Sequence, residues 1–133
     1  MKRTYSGARL EPKVGTGSGT IIMVTEATAE RVVTDPLPHM ELHSPTGMSW
    51  GYAGSGPADL ALSILAHHFG ETTRDIKQAN AGLRLPPHCL RFYQAFKFAF
   101  VAGWGNNWSI TAEEIDQWIN QQISPEETKP LGV

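Results

Sequence analysis

Asp59, Ser63 and His67 recur every four residues and hold the three side-chain types of a hydrolase triad. Their order defeats that chemistry on a single helix. A triad histidine touches both nucleophile and acid, whereas here the serine lies between and His67 stands two turns from Asp59. The expectation is a polar, solvated helix face. His39 and His43 have the i, i+4 spacing of a zinc pair, but that spacing works on a helix and prolines surround them. Adjacent His67 and His68 point apart, so they do not join His88 and Cys89 around one ion. No metal site and no cofactor are expected. An enzyme would need distant residues to meet, for instance His88 with Asp59 or Glu71, and none is expected from spacing.

A second candidate is the run WGYAGSGPADLAL from Trp50 to Leu62. A glycine-rich loop entering a helix exposes backbone N–H groups at a positive dipole end, where anions bind. In that reading Gly54, Ser55 and Gly56 form the cradle. Trp50 or Tyr52, on one face of a short strand, forms a stacking wall, and Lys97 or Arg9 supplies counter-charge. The structural reading makes the same residues a helix start. Gly56 is the N-cap, Pro57 sits at N1 where its missing N–H costs nothing, and Asp59 at N3 faces the free N–H groups. A carboxylate already there repels a phosphate, and the loop lacks the lysine of a P-loop. Helix initiation is therefore preferred, with Gly54 and Gly56 serving close packing and at least one positive φ between them. GTGSG at 15–19 leads into a strand, not a helix, so a hairpin loop is expected there. Lys97, within an apolar helix, either snorkels to the surface or meets an anion.

These residues need elements to position them. Arg3 to Leu10, TIIMVT at 20–25, Arg31 to Thr34 and Met48 to Tyr52 read as strands. Pro57 to Phe69 has helical periodicity, with Gly70 at its C-terminal end. Thr72 to Ala81 reads as a short helix or loop. His88 to Ala102 is apolar nearly all round, which predicts a central buried helix. Thr111-Ala112-Glu113-Glu114 is a capping box opening a last helix with Ile115, Trp118, Ile119 and Ile123 on its apolar face. Strands first and helices later predict an α+β fold. A small, mainly antiparallel sheet within 1–52 packs against three to four C-terminal helices. Residues 1–123 form one domain and 124–133 a loose tail.

Composition narrows the function. The chain has 133 residues, 41% of them hydrophobic, enough for one modest core. Its formal charge is −2 with no lysine or arginine block, so strong sequence-independent nucleic-acid binding is not expected. No run approaches the roughly 18 apolar residues of a membrane span. Met1 to Leu10 has no apolar signal region, and Cys89 is the single cysteine. A cytoplasmic protein is expected.

Three segments carry a family resemblance: WGYAGSGPADLALSIL at 50–65, FYQAFKFAFVA at 92–102 and WSITAEEIDQW at 108–118. With Tyr5-Ser6-Gly7-Ala8-Arg9 they resemble a small family of uncharacterised domains from phages, plasmids and other mobile elements. The matching positions are Trp50, Gly51, Tyr52, Gly54, Ser55, Gly56, Pro57, Leu60, Tyr93, Lys97 and Trp118. The resemblance implies a mobile-element setting and supplies no catalytic residue. The expectation is a non-enzymatic binding protein that acts on a host protein, with Trp50, Trp104 and Trp108 as aromatic anchors. The alternative is a binder of a small anionic ligand such as a nucleotide, at the Gly54 to Pro57 helix start.

Overall fold

A computed structural model describes residues 1–10 and 19–123. The expectations for the GTGSG loop, which falls on 15–18, and for the tail at 124–133 lie outside the described residues. The chain runs β1 (Lys2–Arg9), β2 (Thr20–Ala27), β3 (Val32–Pro36), α1 (Ser55–Phe69), α2 (Thr73–Asn80) and α3 (His88–Ala99). A 3-10 turn (Val101–Gly103), β4 (Asn107–Thr111) and α4 (Ala112–Gln122) follow. The four strands form one antiparallel sheet in the order β3-β2-β1-β4. The fold is α+β, as expected from the grouping of strands before helices.

The sheet is not confined to the first half of the chain. β4 comes from beyond α3 and pairs with β1, Tyr5 opposite Ile110 and Gly7 opposite Trp108. Its alternation is clear once seen, with Trp108 and Ile110 buried between exposed Asn107 and Ser109. It runs straight into the α4 capping box, where Thr111 Oγ1 accepts from Glu114 N and the Glu114 side chain accepts from Thr111 N. Met48 to Tyr52, expected as a strand, is irregular, and its two aromatics part company. Trp50 is fully buried, while Tyr52 is 53% exposed.

The central helix is α1, not α3. Every residue from Gly56 to Ala66 is buried, so α1 has no solvent face over those turns. It ends at Gly70, whose φ of 67° is the left-handed conformation that glycine adopts at lowest cost. α3 packs against α1 with Cys89, Phe92, Tyr93, Phe96 and Lys97 buried at helical spacing. Phe98 on its far side is 65% exposed, so α3 is amphipathic. α2 carries a capping box of its own, Thr72 with Asp75.

Candidate functional site

α1 begins two residues earlier than its sequence suggests, and this moves every role in the opening motif. Gly54 is the N-cap, Ser55 the first helical residue and Pro57 the third. Asp59 is the fifth and does not cap its own helix. Gly54 has φ −125°, and the positive φ falls instead at Gly51, at 87°. Gly51 N–H donates to the Val101 carbonyl at 3.0 Å. Any Cβ there would also press on the Trp104 carbonyl oxygen at 3.1 Å.

The helix start is covered from within. A Cβ at Gly54 would lie 2.5 Å from Cε2 of Tyr52, and one at Gly56 3.1 Å from the Tyr52 hydroxyl and 3.0 Å from Ser49. The glycines thus admit the Tyr52 ring over the first turn, where an anion would have to sit. Trp50 is committed elsewhere. Its Nε1 donates to the Gly105 carbonyl at 2.6 Å, and its ring meets Trp108 edge-on. Arg9 hydrogen-bonds the Trp50 carbonyl and lies over the indole, 4.8 Å from its centroid. Trp108 is buried and stacks on Trp104 at 4.0 Å. Trp50 and Trp108 are therefore core residues, not surface anchors. Lys97 is 7% exposed, with its ammonium 4.4 Å from the Phe98 ring centroid.

The Asp59, Ser63, His67 row is partnered throughout, with Asp59 and Ser63 buried and His67 half-buried, contrary to the solvated face expected of it. Asp59 accepts from the backbone N–H groups of His43 (2.9 Å), Ser44 (3.0 Å) and Leu42 (3.2 Å) and from His39 Nε2 (2.8 Å). Ser63 Oγ accepts from Met40 N at 2.8 Å. The row is the fastening for the irregular segment between β3 and α1. A buried carboxylate tolerates such a position only when donors surround it, and the turn at 42–44 supplies them. His43 is spent on Tyr93, whose hydroxyl lies 2.7 Å from its Nε2.

His67, the last member, faces the sheet. Its Nδ1 lies 2.8 Å from the hydroxyl of Tyr5, which is fully buried. Burial pushes the Tyr5 phenol up to about 12, against the opposing pull of the nearby Arg3 guanidinium. Burial also lowers the His67 pKa, and Arg3 adds to that. The pair is therefore a neutral phenol and a neutral imidazole near pH 7. Among the described residues the phenol proton has no other acceptor, so it goes to Nδ1. The remaining ring proton then belongs to Nε2.

His67 is among the residues that line a cavity of about 550 Å³. The strand register builds its floor. Val24 pairs with Asp35 and Glu26 with Val33, so all four side chains stand on the face that carries Tyr5. Pro36 and Pro38 line one side, and Met1, Thr28 and Arg31 close the end by the β2–β3 turn. Glu26 Oε1 meets Arg3 Nε at 3.4 Å, a long pair, while Asp35 has no partner among the described residues. No sequence reasoning singled out this cavity, because its residues are scattered over β2, β3 and the end of α1. The register of β2 with β3 was the only signal that could have gathered them.

The other chemical groups are quenched. Glu71 accepts from His88 N (2.7 Å) and Cys89 N (2.8 Å), with His88 Nδ1 at 3.3 Å, so His88 does meet Glu71 at the start of α3, a contact that spacing gave no reason to expect. Burial, helped by Glu71, pushes the Cys89 thiol up to about 12, which leaves it un-ionised and inert. No group of three metal-ligating side chains converges among the described residues. No helix among them is long and apolar enough to cross a membrane.

These features define an α+β protein with a four-stranded antiparallel sheet, a central helix buried from Gly56 to Ala66 and a side cavity lined in part by His67. Residues 5–81 match the model of a family of unknown function, DUF6166, and the chain belongs to that family. The matched span runs from β1 through α2 and includes Tyr5, Trp50, Asp59 and His67. No curated protein and no solved structure matches the chain.

Proposed function

We propose that the protein is a non-enzymatic binding module that takes a small ligand in the cavity between β2, β3 and the C-terminal end of α1. The observation that supports this reading is His67. A buried phenol takes its Nδ1, and the residue lines an open space of ligand-sized volume whose walls mix apolar and charged side chains. The nucleophile-type side chains give no support to catalysis: Ser63 holds Met40 N–H, and Cys89 is buried with a raised pKa. The resemblance of 50–65 to mobile-element domains supports a setting in which a small accessory protein sequesters a molecule. The test is a ligand screen by NMR on protein labelled at the Val24, Val33 and His67 positions. Saturable shifts confined to these residues, lost in a Val33→Trp variant that fills the space, are the expected result. A broad screen that leaves all of them unmoved refutes the reading.

A specific observation also favours a second reading, action on a host protein. The middle of the sheet face opposite Tyr5 carries Thr4, Ser6, Met23, Thr25, Thr34 and Ser109, none of them buried and none charged, with Lys2 at its edge. An open sheet face with a single charge at its edge suits a protein partner. Ser6→Arg with Thr25→Arg would then abolish co-purification of that partner while leaving the melting temperature within about 1–2 °C, the range for surface changes.

A further inference from the structure

The cavity's chemistry also names a ligand class, and this step rests on the small-ligand reading above. Its formal charges balance: Glu26 and Asp35 are set against Arg31 at the rim and Arg3 behind Glu26. An anion would meet two carboxylates, and a cation two guanidinium groups. The uncommitted polar atoms are of two kinds. Nε2–H of His67 is a donor with no partner among the described residues, while Oε2 of Glu26, left free by the Arg3 contact, and the Asp35 carboxylate are acceptors without one. Between them the space is bounded by Val24, Val33, Pro36 and Pro38. Proline rings and β-branched side chains on a pleated floor offer flat apolar walls that lose little entropy on contact.

We propose that the cavity binds a neutral planar heterocycle through one edge carrying an N–H beside an acceptor atom, the edge that nucleobases present. His67 Nε2–H donates to the acceptor atom, and the Glu26 carboxylate accepts the heterocycle's N–H. The ring lies against Pro36, Pro38 and Val33. Tyr5 is a positioning residue: it holds the imidazole in the one tautomer that offers a donor to the cavity. A ligand lacking either edge atom forfeits that hydrogen bond, and because the Glu26 side chain is 38% exposed the loss on that side is softened by water.

The test uses full-length protein with 15N-labelled histidine, observed by long-range 1H–15N NMR at pH 7.5. The free protein should show His67 with Nε2 protonated and Nδ1 bare, and the opposite tautomer overturns the geometry. Uridine, cytidine, adenosine and guanosine are then titrated to millimolar levels, with N3-methyluridine as the blocked-edge control. At least one nucleoside should shift His67 Nε2. If uridine binds, N3-methyluridine should bind at least tenfold more weakly, and equal binding overturns edge recognition. Glu26→Leu should weaken the binding nucleoside at least tenfold while the His67 tautomer persists, and unchanged binding overturns the Glu26 assignment. Phosphate, acetate and agmatine form a separate arm. A shift by one of these and by no nucleoside overturns the heterocycle but keeps the small-ligand reading, whereas no shift from any probe overturns both. Oligouridine distinguishes the source. Tighter binding than uridine assigns a base carried on a strand and weaker binding a free one, and both keep the edge recognition.

Discussion

Removing the Asp59 carboxylate should cost far more than the loss of a helix cap. If Asp59 capped α1, Asp59→Ala would lose about 0.5–2 kcal/mol. In the structure it accepts from three backbone N–H groups and from His39, and its side chain is fully buried. Alanine leaves those donors facing apolar space. His43 is exposed, so water can reach its N–H, but Ser44 is buried and its N–H has no such relief. One buried orphan costs about 1–3 kcal/mol, and hydrogen bonds to a charged acceptor are worth about 1.5–3 kcal/mol each. Allowing for partial rehydration, the expected loss is about 3–5 kcal/mol, in line with breaking other buried charged networks. Against a typical total of about 5–15 kcal/mol, that brings the fold close to its limit. Urea denaturation followed by circular dichroism measures it directly, and the melting temperature should fall by about 10–20 °C. Asp59→Asn should be intermediate, because the amide keeps one acceptor and turns a second donor toward Ser44 N–H. A loss below about 1 kcal/mol for alanine would show that the segment at 39–44 is held by something other than the carboxylate, and the reasoning fails.

Gly7→Ala should destabilise by about 1–3 kcal/mol through overpacking, because the new Cβ would run into the Trp108 indole; thermal denaturation and the near-ultraviolet dichroism of the tryptophans report it. At alkaline pH, Tyr5 and Cys89 both titrate near 12 in the fold, against ordinary values of 10.0 and 9.0. Their raised pKa values mean the unfolded chain loses protons first. Stability is fully present below pH 9 and falls as pH rises from 9 toward 12, and Cys89→Ala should flatten the first part of that fall. At the acid end the His67 pKa lies below 6.5, so the unfolded chain binds the proton first. Stability is then full above about pH 6.5 and declines below it, and a 1H–15N titration in which His67 protonates at or above 6.5 contradicts the burial argument.

Much of the architecture was readable because single elements announce themselves. β2 is β-branched and apolar, Gly70 ends a periodic run, and Thr111 with Glu114 opens α4. The α1 start misled because Pro57 is equally suited to the first or the third helical position, where its missing N–H has no intrahelical partner in either case. β4 escaped because its few residues end in the residue that caps the next helix. The polar row on α1 was misread for want of one comparison. Leu60, Ala61, Leu62, Ile64, Leu65 and Ala66 fill the rest of the circumference, so the helix has no solvent side to which Asp59 and Ser63 could belong. Polar groups on such a helix must find partners inside the protein. The cavity was not legible at all, because it depends on which strand residues stand opposite one another.

The one buried face of β1 explains why the cavity wall is stiff. Tyr5, Gly7 and Arg9 alternate along the strand, and each meets a different part of the chain. Tyr5 takes His67 at the end of α1, Gly7 admits Trp108 of β4, and Arg9 grips the carbonyl and ring of Trp50. Trp50 in turn reaches Gly105, and Trp108 stacks on Trp104, so the strand, the loop before α1 and the segment after α3 close on one another. The imidazole at the cavity is the far end of this chain of contacts. Its orientation is set by the same strand that fixes the sheet register, and a shift of β1 by one residue would turn Tyr5 to the opposite face and release it. Binding at His67 would therefore report on the packing of the whole sheet. A ligand held there would stabilise β1, β2 and α1 together by mass action rather than order a local loop.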